Sequence, residues 1–310
     1  MLSVLLGLTG AVVYGAADFL GGLAARRVRA VTVAAVAAVI GLVPLALGVP
    51  LVGAVFSTAA VTCGVVAGVS GSVAVLLLYR ALAVGPMSVL SPLTAVFAAV
   101  TPVAVALVGG TVLSVPATVA LVVAVVAVVL VAAVRDTSGA RVTPVGVVTA
   151  AVAGCGFGGI VLAYDAVPAD AGVASLLVAR VVQAVLLGTV AVVVALRPGG
   201  TTDPVTPAHP VLTAAPTSRR SARWSARWSP RLVVTVAACG VLDALANACI
   251  QAALHLGRSD AALPVVSVLN ALYPVGTVVL AGIVLRERLT AVQWTGIVLA
   301  FGASVGLALA

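Results

Sequence analysis

Polar and ionisable side chains recur inside long apolar stretches of this sequence. Asp18 follows Tyr14 by one helical turn. Further along, polar residues recur every four positions, at Asp243, Asn247 and Gln251. Residues four apart lie on one face of a helix, so each set forms a polar face. Inside a membrane such faces are costly toward lipid, and they mark ligand or ion pathways.

The chemistry of these residues leaves several interpretations open. Burial favours the protonated form of a carboxylate, so Asp18 and Asp243 suit proton binding or pairing with a cation. The structural alternative pairs Asp18 with Arg26 or Arg27, and uses the second polar set to join helices by hydrogen bonds. Arg180 is either the counter-ion of one aspartate, a clamp for an anionic ligand, or half of a purely structural ion pair.

Another set of polar residues lies beside prolines. Proline leaves a backbone carbonyl without its helical partner one turn earlier, and such kinks build binding sites at the membrane midplane. A kink with no binding role is the alternative. The candidates in this set are Ser91, Thr94, Asn270 and Tyr273.

The composition shows which elements must position these residues. Hydrophobic residues make up 63% of the chain and charged residues 8%, with a mean hydropathy of +1.32. A soluble domain carries about 25% charged residues. The apolar runs here are long enough to cross about 30 Å of hydrocarbon as helices. An open sheet would leave backbone groups unsatisfied in lipid, so we predict an all-α polytopic membrane protein.

Ten transmembrane spans are predicted, and their connections carry turn residues. A segment rich in Pro, Ser, Thr and Arg, residues 197–230, predicts a flexible loop between spans 7 and 8. The predicted spans cover residues 2–23, 31–52, 58–79, 87–108, 113–134, 144–163, 171–196, 232–254, 261–284 and 290–309.

The distribution of arginine predicts the orientation. All 16 basic residues are arginine, and 14 of them fall in or beside odd-numbered connections. The positive-inside rule places those connections, including loop 197–230, in the cytoplasm and both termini outside. We therefore expect a multi-pass protein of the plasma membrane. One short basic loop is a poor electrostatic footprint for nucleic acid, which we do not expect as a partner.

The sequence also contains an internal repeat. Residues 68–102 align without a gap on residues 240–274, at an offset of 172. Prolines at the same depth in two halves are typical of transporters built from repeated bundles. Five spans per half is an odd number, so the halves must be inverted. The matched pairs are Gly68 with Gly240, Gly85 with Gly257, Pro92 with Pro264, and Pro102 with Pro274.

Several motifs resemble those of a known family. The stretches 257–260 and 267–274, and then Leu285-Arg286-Glu287-Arg288-Leu289-Thr290, resemble the end of an EamA domain, which usually carries a Gly-Glu-Arg-Leu-Ser turn. The first half has matching motifs at 79–86 and around Tyr14-Gly15 and Asp18-Phe19. Outside loop 197–230, the chain is similar throughout to EamA-domain proteins of the drug/metabolite transporter superfamily. The first half departs from the pattern at 110–114, where the charged turn is missing.

The resemblance implies two five-helix EamA repeats, which we place at 1–135 and 142–310, the second interrupted by loop 197–230. It also implies movement of small metabolites or toxic compounds, often outward. We therefore expect a secondary active transporter that exports its substrate by alternating access and acts as a monomer or homodimer. Its expected partners are a small-molecule substrate, protons or another coupling ion, and membrane lipids.

No nucleotide-binding, catalytic or metal-binding motif is evident, so we expect a gradient as the energy source and no cofactor or metal. Two alternatives stay open. One is an uncoupled facilitator. The other is a membrane enzyme or flippase that acts on a lipid-linked substrate, for which the sequence offers only Asp165 and Asp170 as an interfacial polar pair.

Overall fold

The computed structural model describes most of the predicted spans. Several segments used in the sequence predictions lie outside the described residues. They are the basic loop up to residue 227, the connection 133–143, the stretch 257–261 and the turn 285–289. The described residues are 1–84, 87–112, 114–132, 144–196, 228–256, 262–284, 290–292, 294–296, 298–299 and 302–303.

The described chain is helical, which confirms the predicted all-α class. Helical residues also occur within 291–303, and the described residues contain no β-strand beyond one isolated bridge between Ala54 and Gly172. A short 3₁₀ turn, Ala169–Ala171, precedes α7. The helices are α1 (Leu2–Ala25), α2 (Ala30–Val52), α3 (Thr58–Val84), α4 (Met87–Val108), α5 (Val115–Ala132), α6 (Pro144–Asp165), α7 (Ala174–Leu196), α8 (Pro230–Leu256), α9 (Ala262–Asn270) and α10 (Tyr273–Val284).

Six helices have the length and apolar character needed to cross a bilayer: α1, α2, α3, α6, α7 and α8. Their outward faces carry large apolar side chains, such as Leu47 at 71% and Val234 at 67% exposure. Contiguous apolar surface of this kind suits hydrocarbon and not water. The chain is therefore an integral membrane protein.

The predicted span 261–284 is divided into two helices, α9 and α10, which meet at a turn over Ala271 and Leu272. Pro274 follows this turn. Its ring lacks an N–H and would clash with the carbonyl of Asn270 in a regular helix. The backbone responds with tighter bonds, from Leu272 N to Leu269 O (3.1 Å) and from Val275 N to Leu272 O (2.9 Å).

Glycine allows several helices to pack with their backbones in contact. At Gly15 of α1, a Cβ atom would overlap the carbonyl oxygen of Tyr273 and lie 2.8 Å from the nitrogen of Thr277. The Thr277 hydroxyl donates a hydrogen bond to the Gly15 carbonyl over 3.1 Å. Small residues at membrane helix interfaces permit such approach, and here they bring α1 against α10.

Helices α2 and α7 run antiparallel and are joined at both ends. At one end, Val173 N donates to Gly53 O over 3.0 Å, and Val55 N donates to Ala171 O over 3.1 Å. At the other end, Arg29 Nη1 donates to the carbonyl of Val194 over 3.1 Å. Gly53 adopts a φ of +81°, a left-handed conformation that favours glycine at this junction.

Candidate functional site

A buried cluster of charged and polar side chains lies where α1, α7 and α8 meet α2 and α3. Asp18 is 7% exposed and Arg180 5% exposed, which is rare for charged residues in any protein interior. In a membrane-spanning bundle the cost of such burial marks a functional candidate.

The centre of this cluster is an ion pair between α7 and α8. Arg180 Nη1 contacts Asp243 Oδ2, and the same nitrogen donates to Gln183 Oε1 over 2.9 Å. The Asp243 side chain is 15% exposed. Of the two aspartates that the sequence offers as partners for Arg180, the structure pairs it with Asp243.

Glycines of α2 and α3, in the first half of the chain, border this ion pair. A Cβ atom at Gly71 of α3 would overlap Gln183 Nε2. At Gly41 of α2, a Cβ atom would lie 3.5 Å from Arg180 Nε and 3.0 Å from the carbonyl of Gly240. Helices α2 and α3 therefore provide backbone walls, and the side chains from α7 and α8 fill the space between them.

Asp18 lies on α1 beside this cluster and has a different environment. Within the described residues, no hydrogen bond or ion pair reaches its carboxylate, whereas Asp243 is neutralised by Arg180. Asp18 and Asp243 interact electrostatically. Tyr14, one turn earlier, is within electrostatic reach of Arg180 and both aspartates. The structure thus brings Tyr14, Asp18, Arg180 and Asp243 together.

An aromatic row leads from this cluster to the break between α9 and α10. The ring centroids of Tyr14 and Phe157 are 6.4 Å apart with an edge-to-face angle of 83°. Phe157 and Tyr273 are also 6.4 Å apart, at 43°. The row joins α1, α6 and α10, and it places Tyr273 near the cluster although the two are far apart in sequence.

The polar face of α8 divides into two environments. Asn247 Nδ2 donates to the backbone carbonyl of Asp243 over 2.8 Å, within its own helix. Gln251 accepts a hydrogen bond from Ser175 Oγ and donates to the carbonyl of Gly172, each over 2.9 Å. Gln251 therefore joins α8 to the start of α7. It lies at one end of the polar face of α8, and Asp243 lies at the other end of that face.

The residues beside the prolines are only partly gathered at this site. Asn270, at the end of α9, is 6% exposed, and its Oδ1 has no hydrogen-bond partner among the described residues. Thr94 is fully buried in α4, where its carbonyl oxygen faces Gly154 of α6. Ser91 also lies in α4, but its side chain lies outside the described part of the structure.

Gln183, which the sequence places one turn after Arg180, joins the site as a partner of Arg180. Two tyrosines join the site without having been selected from the sequence: Tyr164 and Tyr79. Tyr164 lies within electrostatic reach of Arg180 and Asp243. The Tyr79 hydroxyl lies 3.4 Å from Cys239 Sγ and occupies the space that a Cβ atom at Gly21 would fill. Gly71 lies opposite Gln183 and Gly21 lies opposite Tyr79, and these two contacts are visible only in three dimensions.

The described residues contain no group of three or more His, Cys, Asp or Glu side chains that could hold a metal ion. What the cluster offers is a buried cation, a paired carboxylate and a second carboxylate with no partner in the described chain. Such a set can bind charged groups and exchange protons.

Comparison with known proteins agrees with a helical membrane protein. Residues 205–309 match the EamA-like transporter family. The chain is thus an integral membrane protein that carries an EamA domain in its C-terminal part, which confirms the resemblance of the motifs. The match to this family supports a membrane transporter of the drug/metabolite transporter superfamily.

The whole chain also resembles a solved structure, described only as the crystal structure of a protein. The similarity covers 99% of this chain and 96% of that one, with a TM-score of 0.68 and 15% sequence identity. At this identity the likeness shows the fold alone. No protein with a curated description matches this sequence.

Proposed function

We propose that this protein is a secondary active transporter that moves a small metabolite or drug-like compound out across the plasma membrane by alternating access. The observation that carries the proposal is the buried cluster of Asp18, Arg180 and Asp243 inside a membrane bundle with an EamA domain. Protons or another ion supply the coupling, and the protein acts as a monomer or homodimer.

The helix contacts support two inverted repeats of five spans, at 1–135 and 142–310. Gly68 and Gly240 match at the sequence offset of 172. A Cβ atom at Gly68 would lie 2.8 Å from the carbonyl of Ala179 in α7. A Cβ atom at Gly240 would overlap the carbonyl of Ala37 in α2. The contact between α3 and α7 is therefore repeated between α8 and α2, which makes α2 the counterpart of α7.

A second pair of contacts follows the same correspondence. A Cβ atom at Gly158 of α6 would lie 2.8 Å from Thr101 Cβ and 3.1 Å from Pro102 in α4. Gly15 of α1 packs on Tyr273 of α10, and the offset of 172 relates Thr101 to Tyr273. The antiparallel pairing of α2 with α7 is also what two inverted halves require.

Both of the proposed halves contribute to the charged cluster. Arg180 and Asp243 belong to the second repeat, Asp18 belongs to the first, and Gly41 and Gly71 of the first repeat border the ion pair. Transporters with inverted repeats hold substrate and coupling ion at the repeat interface near the midplane. We assign the Arg180–Asp243 pair to the substrate and Asp18 to the coupling ion, because Asp243 already has a cationic partner.

Proteoliposomes that contain a pH-sensitive dye test this proposal. A panel of small metabolites and lipophilic cations is added outside, and proton movement is recorded together with compound movement. We expect at least one compound to drive proton movement in the wild type, and Asp18→Asn to abolish that coupled proton flux. Asp165→Asn, at the end of α6, is the matched control and should behave as wild type.

The outcomes separate the alternatives. Compound movement without any proton or cation flux indicates an uncoupled facilitator. Movement confined to lipid-linked compounds favours a flippase. Unchanged coupling in Asp18→Asn refutes the assignment of the coupling ion, and a panel in which no compound moves refutes the transporter proposal.

A further inference from the structure

We propose that the substrate carries one acidic group, such as a carboxylate, and that Arg180 binds it through Nη2. This inference rests on the proposed transport function and names a substrate class for the same site.

The two halves of the Arg180 guanidinium have different environments. Nη1 contacts Asp243 and donates to Gln183, whereas Nη2 is buried and has no hydrogen-bond partner among the described residues. Guanidinium presents its N–H groups in a rigid planar fork, which matches the two oxygens of a carboxylate. A buried donor with no partner is costly, so a ligand acceptor at Nη2 would be favoured.

The surroundings hold this fork in place. Gln183 fixes Nη1 and is itself seated against Gly71, where no side chain competes for the space. Gly41 borders Nε on the other side. Because Asp243 and Gln183 both engage Nη1, a ligand bound at Nη2 would leave the contact between Arg180 and Asp243 in place.

The repeat correspondence limits the site to one cation. The glycine contacts relate Ala37 to Ala179, which relates Ala38 to Arg180 and Gly41 to Gln183. The offset of 172 relates Gly71 to Asp243. The first repeat therefore has small residues at all three equivalent positions, and the site holds one arginine and not a symmetric pair.

Among acidic ligands, the charge balance favours a monoanion over a dianion. Arg180 is the one cation that the described residues contribute to this cluster, and Asp243 already shares it, so each negative charge on a ligand adds to an excess of negative charge. A ligand with one negative charge places that charge beside a guanidinium. A dianion such as phosphate would bring a second charge with no cationic partner among the described residues, at a high cost in a low-dielectric interior.

Thermal unfolding of the purified full-length protein tests the inference with two matched sets of probes. Each set has the same carbon skeleton with an acid, a neutral amide or an amine: benzoate, benzamide and benzylamine, and butyrate, butyramide and butylamine. We expect the acids to raise the unfolding temperature in a concentration-dependent way, and the amides and amines to have little effect.

Variants locate the response. Arg180→Gln alone leaves Asp243 buried without a partner, so the charge-balanced double variant Arg180→Gln/Asp243→Asn accompanies it. We expect the double variant to fold and to bind the acids about ten- to a hundredfold more weakly, the size of a lost charged hydrogen bond. Asp165→Asn serves as the control and should respond as wild type.

Several results overturn the inference. These are a wild type that responds to neither acid, amides or amines that stabilise it as well as the acids, or an acid response that survives in the double variant. The same probes in the proteoliposome assay separate the two proposals. Movement of amines alone keeps the transporter and refutes the acid, whereas Arg180-dependent acid binding with no movement of any compound keeps the acid and refutes the transporter.

Discussion

At the depth of Arg180, helices α2 and α3 present Gly41 and Gly71, whereas α7 and α8 present an arginine and an aspartate. The two pairs of helices make closely similar contacts, since Gly68 packs on Ala179 in the same way that Gly240 packs on Ala37. The scaffold is thus alike in both regions, and the chemistry is confined to one of them. Helices α2 and α3 therefore form a backbone surface against which the charged side chains of α7 and α8 are oriented.

The largest effect is expected from breaking the ion pair. Arg180→Leu or Asp243→Leu leaves one charge buried without its partner, and such losses cost about 3–5 kcal/mol of unfolding free energy. The double variant removes both charges and should recover much of that loss. Unfolding in detergent, analysed as a double-mutant cycle, measures the coupling. Additive single effects would show that the pair does not act as a unit.

An intermediate effect is expected from adding a side chain to the glycine wall. In Gly71→Ala the new methyl group overlaps Gln183 Nε2, which would displace Gln183 from Arg180. Overpacking of this kind costs about 1–3 kcal/mol. The matched control is Gly188→Ala in α7, where nothing lies within 4 Å of the new Cβ. Equal unfolding temperatures for the two variants would contradict the role of the wall.

The smallest effect on stability comes from single cysteines that test the inversion of the halves. Inverted repeats place the connection between α2 and α3 and the loop before α8 on opposite sides of the membrane. In a background without the native cysteines, Phe56→Cys should react with an impermeant thiol reagent from outside. Ser221→Cys should react only after permeabilisation. Labelling of both cysteines from the same side of the membrane would refute the inverted arrangement of the two halves.

Much of the fold could be predicted from the sequence, because a bilayer demands long apolar helices and six of them coincide with predicted spans. The polar faces were visible for the same reason, since helical spacing places Asp18 beside Tyr14. The partner of Arg180 could not be chosen between two aspartates, because that depends on which helices pack together and how they are rotated. The spacing places Gln183 one turn after Arg180, but it does not reveal Gly71 opposite Gln183. Tyr79 was missed because the residue opposite it, Gly21, has no side chain to signal a contact.

The hydrogen bonds at both ends of the α2–α7 pair have a mechanical consequence. Gly53 and Val173 join the two helices at one end, and Arg29 and Val194 join them at the other. A pair fastened at both ends cannot slide lengthwise like a piston without breaking these bonds. While these bonds hold, we expect the α2–α7 pair to form the rotation axis between the two halves. The largest displacements should then occur in the helices farthest from this pair.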